Sequence, residues 1–132
     1  MDLIKYIGLP YKEYGRDFNG CDCYGLIYLF YKHELGIELP TYSALYNHNN
    51  SDSIKDIISR EKTKWIKVDK PKKFDGILFN ISGMYNHIGI FLDNNLFLHS
   101  AKIRGESCIE RITHPFWNTR IEGFYRYGNN NQ

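Results

Sequence analysis

Apolar positions along this chain change their period near its middle. In the first half Leu26, Ile27, Phe30 and Tyr31 recur at the spacing of one helix face, and Ile54, Ile57 and Ile58 do so again. From Trp65 onward the apolar residues fall in short runs rich in β-branched and aromatic types. These predict strands at about Trp65 to Val68, Gly76 to Asn80, His87 to Leu92, Leu96 to Ser100, Cys108 to Ile112 and Gly123 to Tyr127. Asp93-Asn94-Asn95 separates two of them as the turn of a hairpin. Met1 to Tyr6 reads as a short helix, and Ser51-Asp52-Ser53 opens a second amphipathic helix through about Arg60. Tyr42 to Asn50 reads as turn and loop, while the asparagine-rich stretch around Asn47 and the tail Gly128 to Gln132 read as solvated. A helical first half followed by a meander of strands implies an α+β fold with a helix packed on an antiparallel sheet.

The candidate chemistry lies where these elements begin and pair. Cys23 occupies Asp22-Cys23-Tyr24-Gly25-Leu26, after a loop broken by Gly20, with Asn19 or Asp22 able to cap the helix that follows. Unpaired N–H groups and the macrodipole at a helix start favour a thiolate, so this position predicts a thiol with a lowered pKa. His87 and His99 fall on the two strands of the predicted hairpin. Because strand side chains alternate between faces, the two imidazoles can point the same way as neighbours. A nucleophile, a base and a group orienting that base are the parts of covalent catalysis. His33, His48 and His114 have no such context and read as surface or cap residues.

With these residues in place, the chain resembles the NlpC/P60 family of cell-wall cysteine peptidases, a branch of the papain-like folds. Gly8-Leu9-Pro10-Tyr11 is similar to the family's opening motif, Asp22 to Leu26 to its nucleophile motif and Gly36-Ile37-Glu38-Leu39-Pro40 to the end of its nucleophile helix. Phe74-Asp75-Gly76-Ile77-Leu78-Phe79 resembles its first core strand, and His87-Ile88-Gly89-Ile90 and Phe97-Leu98-His99 its base and third-residue strands, in the expected order. The resemblance implies Cys23 as nucleophile, His87 as general base, His99 as the group orienting His87, and Tyr11 as an oxyanion-hole hydroxyl. A phenol beside the Cys23 backbone N–H could stabilise the oxygen of a tetrahedral intermediate. Two positions depart from the pattern: Tyr24 stands where serine is common, lining the substrate groove, and Tyr14-Gly15 stands where a glycine pair is common. An aromatic after the nucleophile and a helix ending in Gly-Ile-Glu-Leu-Pro resemble members encoded among phage tail assembly genes.

Size and charge narrow the reading further. At 132 residues, 42% of them hydrophobic, the chain suits one domain, 1–132, burying roughly two-thirds of its extended surface. The longest apolar run, Leu26 to Tyr31, is far short of the roughly twenty residues that span a bilayer, so no membrane insertion is expected. Lys5, Lys12 and Glu13 interrupt the N-terminal apolar pattern, which argues against a secretory signal. A formal net charge of +2 gives no reason to expect a nucleic-acid partner. Lys62, Lys64, Lys67, Lys70, Lys72 and Lys73 form a basic cluster that reads as a solvated face, with contact to anionic wall polymer or a tail protein as the alternative. An odd cysteine count argues against a disulfide scaffold and assigns Cys21 and Cys108 to packing. A zinc site from Cys21, Cys23, His87 and His99 is disfavoured by the Cys-x-Cys spacing, and no metal or organic cofactor is expected.

The resemblance implies an endopeptidase acting on the peptidoglycan stem peptide, cutting after D-glutamate and before the diamino acid. Made in the host cytoplasm without an export signal, such a chain needs a carrier, and association with phage tail tip proteins, in the virion tail, is the expected route to the wall. The alternatives are a structural tail-tip subunit, for which eleven tyrosines would suit interfaces, and amidase or acyl-transfer chemistry by the same Cys-His pair.

Overall fold

The computed structural model describes residues 2–45 and 53–128. Among these, two short strands, β1 (Arg16–Asp17) and β2 (Gly20–Cys21), form a small hairpin ahead of helix α1 (Cys23–Phe30). Helix α2 (Ser53–Glu61) follows, and then β3 (Trp65–Val68), β4 (Gly76–Ile81), β5 (Met84–Phe91), β6 (Leu96–Ser100) and β7 (Ser107–Arg111). A short helix α3 (Pro115–Asn118) precedes β8 (Ile121–Tyr127). The long strands form one antiparallel sheet in the order β3-β8-β4-β5-β6-β7. Helix α1 packs on β5 and β6, the two histidine strands. This is the α+β arrangement that the change of period predicts.

Each predicted strand is found within about two residues of its expected bounds, apart from β5, which starts three residues earlier. The β5–β6 turn places Asn94 and Asn95 at φ of 57° and 62°. Two successive left-handed residues match the twist of a tight hairpin, and asparagine tolerates them. The predicted helix at Met1 to Tyr6 is a single 3-10 turn, Ile4–Tyr6, anchored because the buried Tyr6 donates its hydroxyl to Glu34; Met1 lies outside the described residues. Helix α2 turns Ile57 and Ile58 into the interior with Ile54 partly buried, as its spacing requires. The expected cap at Ser51 and Asp52 and the loop from Tyr46 to Asn50 lie outside the described residues.

Helix α1 departs from the one-sided pattern. Every residue from Cys23 to Phe30 is buried, so it is a core helix rather than an amphipathic surface one. Tyr24 is tolerated there because its hydroxyl donates to the Pro40 carbonyl at 2.6 Å, and Tyr31, in the turn that follows, donates to that of Phe74 at 2.6 Å. A π-helical turn, Tyr31–Leu35, extends the helix to Gly36, which ends it at a φ of 67°.

The glycine of the nucleophile motif is a packing requirement. A Cβ on Gly25 would lie 2.0 Å from the Gly15 carbonyl oxygen, so only glycine lets the β1–β2 hairpin seat against the first turn of α1. Just before that contact Tyr14 adopts a φ of 70°, the left-handed region that glycine enters most readily. Tyr14 donates its N–H to Asp22 Oδ2 at 3.2 Å.

Candidate active site

Asp22 is the cap of α1, so Cys23 is the first residue of the helix. Two backbone N–H groups, of Tyr24 in the same turn and of Ile88 on β5, approach the Cys23 sulfur and favour its charged form. The second contact places the thiol against the strand segment that carries His87. The helix start thus acts in the predicted direction, but burial opposes it and wins. With Cys23 only 3% exposed, loss of solvation, followed by the negative charge of Asp22, pushes the thiol up to about 12. The expectation of an acidified thiol is corrected on that ground: in this closed site the resting sulfur keeps its proton.

His87 and His99 meet as expected. The β5–β6 register sets Gly89 across from His99, so His87 is its diagonal neighbour on the same face. A Cβ on Gly89 would stand 3.4 Å from that of His99 and 3.0 Å from the Phe97 ring, so glycine leaves room for the two imidazoles to close. His87 Nε2 lies 2.8 Å from His99 Nδ1. His87 therefore has Nδ1 left for the nucleophile. Burial, then the neighbouring His99, drives His87 well below the ordinary histidine range, so its free form is a neutral base.

Beyond His99 the contacts continue to residues that the sequence did not single out. His99 Nε2 lies 2.6 Å from Glu110 Oε2 on β7. Arg104 grips both oxygens of that carboxylate at 3.0 and 2.9 Å, and Trp117 Nε1 donates to it at 3.0 Å. The Trp117 ring, itself fully buried, stacks on His87 and stands edge-on to His99, walling both imidazoles from water. The only sequence signal for Glu110 is an acidic residue inside an apolar strand. Its relevance depends on the register that pairs His99 with Cys108 and puts Glu110 one same-face step away.

Tyr11 is brought to the site by the opening motif, whose backbone is pinned on two sides. Tyr11 N–H donates to the Gly105 carbonyl at 2.9 Å, and the residue bridges in parallel to Cys21. Burial, then the nearby Cys23 and Asp22 charges, raise the phenol far above its ordinary range, so it stays a hydroxyl donor. Tyr24 does not present itself to a groove as expected. It is 1% exposed, and its ring packs edge-on to Tyr42 and forms a wall of a small apolar pocket between α1, α2 and the sheet.

Cys21 is fully buried and held by burial at about 12, as a packing cysteine should be. Cys108 is half-buried and touches the histidine chain: its sulfur is 3.8 Å from His99 Nε2 and 3.6 Å from Glu110 Oε2. His99, Cys108 and Glu110 offer donor atoms within 4.8 Å of one another, a different set from the four residues weighed in the sequence. The 2.6 Å His99–Glu110 separation is a hydrogen bond, and Arg104 and Trp117 already occupy the carboxylate. His114 caps α3 by accepting the Phe116 N–H, and His33 is exposed beside Phe18; His48 lies outside the described residues. The lysine cluster is exposed throughout, as the solvated reading expects. No helix among the described residues is long and apolar enough to cross a membrane.

Burial of the relay predicts a pH dependence of stability. His99 is fully buried, and burial holds it down at about 4 against the partial resistance of Glu110. Unfolded, it titrates near 6.5, so as pH falls the unfolded chain takes up this proton first. The stability contributed is complete above about 6.5 and is lost by about pH 4. Denaturant titrations of the wild type are expected to show a decline on the order of 3 kcal/mol over that window, reduced in His99→Gln. Equal slopes for the two proteins would show that His99 is not held neutral.

The NlpC/P60 family model matches residues 8–126. The chain is 26% identical over 113 residues to the murein DD-endopeptidase MepS/murein LD-carboxypeptidase of Escherichia coli K12, covering 86% of this chain and 53% of that protein. It is 27% identical over 128 residues to murein DD-endopeptidase MepH of the same strain, covering 94% and 43%. The chain thus spans about half the length of the curated relatives it matches. Among solved structures, an NlpC/P60 family protein from Bacillus cereus superposes with a TM-score of 0.69 at 24% identity, covering 92% of this chain and 36% of that one. The NlpC/p60 domain of peptidoglycan hydrolase SagA superposes with a TM-score of 0.63 at 21% identity, covering 93% and 90%. At these identities the structural likeness is one of fold.

Proposed function

Because the chain belongs to the NlpC/P60 family, we propose that it is a cysteine endopeptidase that cuts the stem peptides of peptidoglycan. The observation that carries this reading is the buried His87–His99 contact at 2.8 Å beside the strand N–H that touches Cys23. The relatives named as murein endopeptidases support the substrate class.

In this mechanism Cys23 Sγ attacks the amide carbonyl carbon as its proton passes to His87 Nδ1. Because burial disfavours both a lone thiolate and a lone imidazolium, the transfer is coupled to attack rather than complete beforehand. Negative charge develops on the carbonyl oxygen, where the Tyr11 hydroxyl and the Cys23 backbone N–H would receive it. Collapse expels the amine, protonated by His87, and leaves a thioester. Water then attacks the thioester carbonyl, giving one proton to His87, and the departing sulfur recovers that proton.

Two finer readings belong to the same proposal. The bond cut is the one between D-glutamate and the diamino acid, by family resemblance; the relatives named DD-endopeptidases favour the peptide cross-link as the competing bond. A phage tail is the carrier, supported by Tyr24 after the nucleophile and by the helix end Gly36 to Pro40. Digestion of purified peptidoglycan, with the released fragments identified by mass spectrometry, tests the activity and the bond together. Fragments ending in D-glutamate are expected. Fragments from cross-link cleavage alone would move the bond, and an unaltered wall would sink the hydrolase reading.

A further inference from the structure

The two imidazoles and the carboxylate behind them form a chain in which the direction of every hydrogen bond follows from its far end. Glu110 accepts from Arg104 at both oxygens and from Trp117, and these bonds outweigh burial and keep the carboxyl ionised down to about 2. An ionised carboxylate can only accept. His99 Nε2, 2.6 Å away, must therefore carry a proton, and in neutral His99 this leaves Nδ1 as a lone pair. That lone pair faces His87 Nε2 at 2.8 Å, so Nε2 is the protonated nitrogen of His87. The remaining atom, His87 Nδ1, is then a lone pair, the form that a base for Cys23 needs.

We propose that Glu110 is a positioning residue that fixes the tautomers of both histidines, so that His87 is held with its basic nitrogen toward the nucleophile. This deepens the hydrolase reading and rests on it for its kinetic consequence, while the proton order itself does not depend on any substrate. The packing around the chain suits the role. Trp117 covers both rings, and His99 has no exposed surface through which water could offer an alternative partner. Cys108, 3.8 Å from His99 Nε2, is a weak donor and acceptor that does not compete with a carboxylate at 2.6 Å.

Glu110→Gln separates this role from a structural one, because the amide keeps the size and the contacts to Trp117 but can turn its NH₂ toward His99. His99 Nε2 would then become the acceptor, its proton would move to Nδ1, and His87 would be left protonated at the nitrogen needed as base. Relative to wild type, kcat on peptidoglycan is expected to fall about 10²- to 10³-fold with KM little changed, by analogy with other orienting groups whose loss leaves a wrong tautomer. Glu110→Asp, still an acceptor only, should recover most of that loss. Nitrogen-15 spectra of the histidine rings in the unliganded wild type should show protons on Nε2 of both His87 and His99, with the pattern reversed in Glu110→Gln. A Gln variant with wild-type kcat, or a wild type whose His99 proton sits on Nδ1, would overturn the proposal. If the wild type cuts no peptidoglycan but shows the expected ring protonation, the hydrolase reading fails and the tautomer assignment stands.

Discussion

Replacing Cys23 by alanine is expected to reduce peptidoglycan cleavage by about 10⁴-fold or more, leaving at most the background of a bound but uncatalysed substrate. The size of the effect follows from there being no second thiol in position. Cys21 is fully buried in the strand before the helix, and its carbonyl accepts from Ser100 and from the Lys12 N–H. Cys108 lies at the Nε2 side of His99, whereas His87 meets His99 at Nδ1, so its sulfur is at the far end of the relay. Cys21→Ala and Cys108→Ala are thus expected to keep most activity. The fold should survive in all three, since loss of one buried sulfur removes about 1 kcal/mol of packing, within a total stability of roughly 5–15 kcal/mol. Mass spectrometry of digests and thermal unfolding, run side by side on the wild type and the three variants, check both halves. Undiminished release of the same fragments by a folded Cys23→Ala protein would remove Cys23 from the chemistry.

The parts of this site that were legible in the sequence are those set by local period and chain order. Two-residue alternation, with the register set by the short turn between them, places His87 and His99 on one face as diagonal neighbours. Asp22 as the cap of α1 is likewise local, since a cap acts within one turn. What could not be read depends on long-range packing. Glu110 joins His99 through the β6–β7 register, and Trp117 arrives on a four-residue helix that has no periodic signal. The raised pKa of Cys23 has the same origin. A helix start lowers a thiol's pKa by a local field, but the opposing desolvation is supplied by β5 and the surrounding core, which the local sequence does not show. The all-round burial of α1 also exceeds what its apolar spacing indicates, because Tyr24, and Tyr31 just after it, bury their rings and satisfy their hydroxyls on carbonyls distant in sequence.

The largest loss of stability from a single polar substitution is expected at Asp22. From the sequence Asp22 is a helix cap, worth about 1 kcal/mol. In the folded chain its carboxylate, with no exposed surface, does three things at once. Oδ1 accepts the Gly25 N–H at 2.7 Å and pairs with Arg16 Nη1 at 3.0 Å, and Oδ2 accepts the Tyr14 N–H at 3.2 Å. Asp22→Ala would remove the cap, take the carboxylate away from a 14% exposed guanidinium that also donates to the Gly15 and Thr41 carbonyls, and release the left-handed turn at Tyr14. Breaking a buried pair from one side costs about 3–5 kcal/mol, a large share of the whole, so the variant should unfold at much lower denaturant concentration. Asp22→Asn keeps an acceptor for Gly25 and should lose less. A drop of only about 1 kcal/mol in Asp22→Ala would reduce Asp22 to its capping role. The charge has an opposite effect on the chemistry next door, because Asp22 is among the groups that hold the Cys23 thiol up. Asp22→Asn should therefore be less stable than wild type and yet have a more acidic Cys23, seen as faster alkylation of that cysteine at neutral pH by peptide mapping. The two effects moving in opposite directions would show that the charge beside the nucleophile serves the fold at the expense of the thiolate.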